Sequence, residues 1–122
     1  MSGIHRFTGQ AGDYQWEGAV ALSYEGVSGQ RMIGDADGDP NFHFRYFRVE
    51  PGGYTFLHRH AHDHGIMILH GRAAVVIEDQ TFEVGPRDIV YIAPHDRHQL
   101  RAAGDEPLGF LCVIDPHAVE PD

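Results

Sequence analysis

The feature that most constrains the fold is the division of the chain, from residue 42 onwards, into short apolar segments separated by turn residues. Pro51-Gly52-Gly53, Asp79-Gln80 and Gly85-Pro86 are turn signals. The segments between such turns have strand length, roughly four to eight residues. No stretch has the apolar period of an amphipathic helix of about ten or more residues. The pattern therefore predicts an all-β sandwich or barrel.

The length of 122 residues predicts one domain covering residues 1–122, with an arm or edge strand at residues 1–24. Ten segments are predicted to be strands. They cover residues 19–24, 30–33, 42–49, 54–60, 65–69, 73–78, 81–84, 89–92, 98–101 and 108–114.

Charge and composition exclude several functions. The formal net charge of −9 and the absence of a basic patch argue against a nucleic-acid partner. All nine cationic residues are Arg, so a lysine Schiff base is excluded. The single cysteine, Cys112, excludes an intramolecular disulfide and favours a reducing compartment. No signal peptide or membrane span is evident in the sequence, so we expect a cytoplasmic protein with no membrane partner.

Histidines carry the chemistry, because 10 of the 122 residues are His. In a strand, residues two apart point to the same face, so His58 and His60 should project together. His64 follows across a short corner and could supply a third imidazole. A fourth ligand has to come from elsewhere in the chain.

These histidines and their spacing resemble the cupin family. The first cupin motif, G-x5-H-x-H-x3,4-E-x6-G, is matched by Gly52, His58, His60, His64 and Gly71. The second motif is matched more loosely by the segment from Gly85 through Pro94 to His98. The resemblance covers residues 42–114. It implies an antiparallel jelly-roll barrel, often a homodimer, with one divalent metal ion held inside by His58, His60, His64 and His98.

One residue departs from the family pattern, since His64 stands where cupins usually have Glu. Four neutral imidazoles leave a divalent site with a charge of +2 instead of +1, which makes the ion a stronger Lewis acid. Loss of the carboxylate oxygen favours Fe, Co, Ni, Cu or Zn over Mn, although cellular supply keeps Mn possible.

Other residues are candidates for supporting roles. His62 lies between the expected ligands and could relay protons or bind the metal, and Tyr91 could act as an acid or base. Phe110 and Cys112 share one strand face and would line the cavity if that face points inward. The strand at 42–49 contains Arg45, Tyr46 and Arg48, and whichever set faces inward could present a cation to an acidic substrate.

Three functions remain open. A metal-dependent dioxygenase acting on a small organic molecule fits a centre with open coordination positions. A non-redox isomerase, lyase or cyclase that polarises a carbonyl fits the same centre. A small-molecule sensor or storage module without turnover is the third possibility, because fold alone does not fix function.

Overall fold

The structure is a computed structural model that describes residues 2–10, 13–24 and 27–117. The described residues form strands and one 3-10 turn, Asp35–Asp37, so the all-β prediction is confirmed. None of them forms a helix of the length and apolarity needed to cross a bilayer. The strands are β1 Val20–Tyr24, β2 Val27–Ile33, β3 His43–Val49, β4 His64–His70, β5 Ala73–Ile77, β6 Gln80–Val84, β7 Ile89–Ile92, β8 His98–Ala102 and β9 Leu108–Ile114.

These strands form two antiparallel sheets. One has six strands in the order β1-β2-β3-β9-β4-β7, and the other has three in the order β6-β5-β8. The core between them is built from residues of both sheets, including Ile68 and Val75, which are fully buried. Within the described residues no continuous ladder joins the two sheets, so the expected barrel is an open jelly-roll arrangement rather than a closed cylinder.

The burial pattern of β3 shows which of its two arginines faces the interior. His43, Arg45, Phe47 and Val49 are buried on alternate positions, because neighbouring strand residues point to opposite faces. Arg45 therefore faces the interior, whereas Arg48 lies on the outer face. His43, at the start of the strand, lies on the same buried face and is only 7% exposed.

The segment 54–60 does not form the continuous strand that its sequence predicts. It pairs with β8 at two isolated bridges, from Tyr54 to Arg101 and from His58 to His98. Between these bridges the Leu100 amide donates to the hydroxyl oxygen of Thr55 at 3.0 Å, and the Gln99 side chain donates to the Thr55 carbonyl. The side chains of Thr55 and Gln99 thus form two hydrogen bonds that backbone groups would form in a regular ladder.

The N-terminal arm folds back onto the outer face of the six-stranded sheet. Phe7, Tyr14 and Trp16 have ring centroids 5.4–6.3 Å apart, and the rings of Tyr14 and Trp16 contact Tyr46 of β3 at 5.6 and 5.2 Å. These contacts bury the Tyr46 ring, which is 3% exposed. Burial raises the pKa of Tyr46 to about 12, so its hydroxyl stays protonated at neutral pH.

Candidate metal centre

Five imidazoles converge at one end of the space between the sheets. Three of them, His58, His60 and His62, come from the segment that precedes β4, and His64 is the first residue of β4. The fifth, His98, is the first residue of β8 in the other sheet. The centre is therefore assembled from both sheets and from the segment between β3 and β4.

The rings lie within contact distance of one another. His64 and His98 have centroids 4.7 Å apart, and His60 lies 5.5 and 5.3 Å from them. His58 is 5.1 Å from His60. His62 is 4.7 Å from His60 and 4.8 Å from His64, so it belongs to the same cluster.

Contacts outside the cluster orient two of these rings. Nδ1 of His98 lies 2.9 Å from the Asp96 carbonyl, and since a carbonyl oxygen only accepts, Nδ1 carries the proton. The other nitrogen, Nε2, is then left with the lone pair that a metal ion needs. Nδ1 of His64 lies 3.6 Å from Sγ of Cys112, and its Nε2 is shielded from solvent.

The donor set fits a transition-metal ion. One ligand nitrogen from each of His60, His62 and His64 lies within 4.8 Å of the other two. Two imidazole nitrogens bound to one ion at about 2.0–2.1 Å are at most about 4.2 Å apart, so small side-chain rotations close the difference. Neutral imidazole is the donor that Zn, Cu, Fe and Ni prefer in proteins.

A cavity of about 50 Å³ leads from the histidines into the interior. It is lined by both sheets: Tyr24, Val27, Arg45, Phe47, Thr55, Phe56, His58, His64, Ile66, His98, Leu100, Phe110 and Cys112. Phe110 and Cys112 both line this cavity from the buried face of β9, at 4% and 2% exposure. The lining is largely apolar around the imidazoles, so a substrate group that enters loses most of its water.

Arg45 gives this cavity a fixed positive charge. It is 0% exposed, and its Nη2 donates to Sγ of Cys112 at 3.1 Å. Its guanidinium carbon lies 4.9 Å from the centroid of the Phe47 ring, where a cation is attracted by the π electrons. Because a guanidinium remains protonated in proteins, the cavity carries this charge at every physiological pH.

Tyr91 lies outside the cavity. Val90 and Ile92 face the core, so the intervening Tyr91 points outward and is 61% exposed. Its hydroxyl donates to Oδ2 of Asp63 at 2.8 Å. That bond is the main cause of the raised pKa of Tyr91. The residue is thus not placed to exchange protons with a substrate in the cavity.

The comparisons with known proteins agree with this architecture. The family model of the cupin domain matches residues 45–114. The chain is 39% identical over 114 residues to 1-methylthio-D-xylulose 5-phosphate methylsulfurylase of Rhodospirillum rubrum, covering 88% of this chain and 73% of that protein. This chain therefore belongs to the cupin family.

Solved structures show the same similarity. A cupin-2 domain from Rhodospirillum rubrum is 35% identical with a TM-score of 0.81, covering 96% of this chain and 81% of that one. The polyketide cyclase RemF from Streptomyces resistomycificus is 25% identical with a TM-score of 0.78, covering 100% of this chain and 82% of that one.

Proposed function

We propose that this chain is a metal-dependent cupin enzyme that converts a small, negatively charged carbonyl compound, with a ketose phosphate as the first substrate class to test. The ion would be held by His58, His60, His64 and His98. The observation that carries the proposal is the combination, in one small cavity, of clustered imidazoles and the buried Arg45.

The chemistry of the cluster supports an electrophilic centre. A divalent ion bound there would withdraw electrons from a carbonyl oxygen, which acidifies the neighbouring carbon. The protein's part is to orient the donors. The Asp96 carbonyl fixes the tautomer of His98, and Cys112 lies beside the Nδ1 of His64.

Arg45 supports an anionic substrate. A guanidinium in a cavity with few polar groups attracts a carboxylate, a phosphate or an enolate oxygen more strongly than it would in water. The small cavity volume admits only one end of a substrate, so the remainder of a longer molecule would stay at the mouth near Thr55 and Phe56. Phe110, Leu100 and Ile66 exclude water around the reacting end.

The relatives favour this chemistry over an oxygenase. The methylsulfurylase is named for a ketose phosphate with a methylthio group, and RemF is named as a cyclase. The dioxygenase expected from the sequence stays a prediction, as do the homodimer and the cytoplasmic location. A dioxygenase consumes oxygen, so turnover measured with and without air distinguishes it from the proposed enzyme.

Such a centre could promote the removal of a methylthio group from a ketose phosphate. A methylthio group on the carbon beside a carbonyl can leave if an external thiol attacks its sulfur and forms a mixed disulfide. The carbon–sulfur electron pair then stays on carbon as an enolate, which a proton converts to the 1-deoxy ketose. The thiol is thus the reductant and the carbon–sulfur bond is what is reduced.

The experiment uses protein purified without a histidine tag and loaded separately with Fe²⁺, Mn²⁺, Ni²⁺, Co²⁺, Cu²⁺ or Zn²⁺. 1-Methylthio-D-xylulose 5-phosphate, with and without dithiothreitol, and a panel of aldose and ketose phosphates are incubated under argon and under air. We expect conversion under argon, followed by mass spectrometry. Oxygen uptake coupled to product formation would establish the dioxygenase instead, and tight binding without turnover would establish a binding module.

A further inference from the structure

We infer that His62 is a ligand of the proposed metal centre, so that the ion can be held by two overlapping sets of histidines that share His60 and His64. This inference rests on the proposed metal site but goes beyond it. The cupin motif matched by the sequence contains no ligand at the position of His62.

The geometry of His62 is that of a ligand rather than a surface residue. Its ring contacts two of the expected ligands, His60 at 4.7 Å and His64 at 4.8 Å. Both distances are shorter than the distance between the rings of His60 and His64, which is 5.5 Å. One donor nitrogen from each of the three residues lies within 4.8 Å of the others.

Burial points the same way. Nε2 of His62 is shielded from solvent, as are Nε2 of His60 and Nε2 of His64. A histidine at the surface of the corner with no ligand to bind would expose its nitrogen atoms to water. Nε2 of His62 instead lies out of contact with water, and its ring lies beside those of the two expected ligands.

His58 and His62 are held by different parts of the fold. The backbone of His58 is bonded to His98 of β8, by N–H to O distances of 3.0 and 2.8 Å in the two directions. His62 lies two residues before β4 and belongs to the corner that leads into the six-stranded sheet. One imidazole could therefore replace the other as a ligand while His60 and His64 still held the ion.

Such an exchange has a chemical use. If His62 took the place of His58, the number of protein donors would stay constant and the side of the site that faces the cavity, which His58 lines, would be free for a substrate oxygen. A substrate oxygen could then enter without loss of the ion.

The test is a double-substitution cycle, His58→Ala, His62→Ala and both together, with His117→Ala as an exposed control outside the cluster. The probe is Zn²⁺ alone, and its dissociation constant is measured by competition with a chromogenic chelator. We expect each single substitution to weaken binding by about tenfold. The double variant should lose more than the product of the two single losses, because each residue buffers the loss of the other.

A spectroscopic readout separates ligation from a structural effect. Co²⁺ replaces Zn²⁺, and the positions and intensities of its d–d absorption bands report the ligand set. The bands should change in His62→Ala and stay as in the wild type in His117→Ala. Thermal unfolding of the metal-free variants in a chelator shows whether they are folded. If His62→Ala proves unfolded, His62→Gln takes its place.

Failure of the inference about His62 and failure of the proposed metal centre would give different results. Wild-type affinity and unchanged Co²⁺ bands in His62→Ala, together with losses in His58→Ala and His64→Ala, would overturn the inference and leave the proposed centre intact. Wild-type protein that binds neither Zn²⁺ nor Co²⁺ would overturn both.

Discussion

Sγ of Cys112 lies 3.6 Å from Nδ1 of His64 and accepts a hydrogen bond from Nη2 of Arg45 at 3.1 Å. For Nε2 of His64 to bind a metal ion, Nδ1 has to carry the proton, and the sulfur then receives both donors. The cysteine therefore connects the buried cation to the proposed metal ligand.

Replacement of Cys112 by Ala should weaken metal binding through His64. Loss of a group that orients a metal-bound histidine typically costs about 10–100-fold in affinity. Cys112→Ser, which keeps a hydrogen-bonding atom, should lose less. Isothermal titration with Zn²⁺ measures the difference. Equal affinities in the wild type and in Cys112→Ala would show that the sulfur does not orient the ring.

Replacement of His64 by Ala should remove a donor outright and lower both metal content and thermal stability. We expect a larger loss of affinity than for Cys112→Ala, since a ligand is removed rather than reoriented. Metal analysis by mass spectrometry and thermal unfolding with and without a chelator check this. If content and stability were both unchanged, the assignment of His64 as a ligand would be wrong.

Replacement of Arg45 by Met should raise KM for an anionic substrate more than it changes metal affinity. Hydrogen bonds to charged groups contribute about 1.5–3 kcal/mol, which corresponds to about 10–150-fold in binding. Arg48→Met is the matched control, because Arg48 lies on the outer face of the same strand and pairs with Glu50 at 2.7 Å. A similar KM in both variants would exclude Arg45 from substrate binding.

Gly109 should not tolerate a side chain, because a Cβ there would overlap with the imidazole of His70. That ring is fixed by donation from Nδ1 to the Pro107 carbonyl at 3.0 Å and by acceptance from the Tyr46 hydroxyl at 2.6 Å. Gly109→Ala should destabilise the protein by about 1–3 kcal/mol, the cost of overpacking.

The control is Gly65→Ala in β4 of the same sheet, where an added Cβ meets no atom within 4 Å. Thermal unfolding compares the two variants. A melting temperature for Gly109→Ala as high as that of Gly65→Ala would mean that His70 moves aside without cost.

The pair formed by His5 and Asp37 should make stability depend on pH. Nε2 of His5 lies 2.6 Å from Oδ1 of Asp37, and its Nδ1 donates to the Glu17 carbonyl at 2.8 Å. The hydrogen bond to Asp37 raises the pKa of His5 above its ordinary 6.5. Bonding from the Gly34 amide, and then from His5, lowers the pKa of Asp37 below its ordinary 3.8.

The contribution of His5 is therefore complete below pH 6.5 and is lost as the pH rises through its raised pKa. That of Asp37 is complete above pH 3.8 and is lost as the pH falls through its lowered pKa. Denaturant unfolding of metal-free His5→Ala should differ from the wild type most between these two values and least in alkaline buffer. A difference that did not vary with pH would show that the pair is not charged.

Much of the fold could be predicted because turn residues and apolar segments fix where the strands lie. Strand β9 spans Leu108–Ile114, as its sequence indicates, and β7 spans Ile89–Ile92. The failure at residues 54–60 has a local cause. The Thr55 amide donates to the Leu100 carbonyl as in a regular ladder, but the Leu100 amide donates to the Thr55 hydroxyl oxygen instead of the Thr55 carbonyl. The alternation of apolar residues does not reveal where a side chain will take over a backbone hydrogen bond.

The histidines of the candidate site could be predicted from the sequence, but the buried arginine that lines its cavity could not. Both faces of the strand at 42–49 contain aromatic and charged residues, so the pattern alone could not decide whether Arg45 or Arg48 faces inward. Burial in the tertiary structure settles it. For His62 the sequence left two roles open, proton relay and metal ligand, because the cupin motif has no ligand between His60 and His64.

The origin of the histidines in two sheets has a consequence for the lifetime of the protein. His64 starts a strand of the six-stranded sheet and His98 starts a strand of the three-stranded sheet. An ion bound to both would act as a crosslink between layers that no continuous ladder joins among the described residues. Its binding free energy would add to that of folding. Metal starvation would then expose the apoprotein to proteases, and its abundance in the cell would follow the supply of the metal.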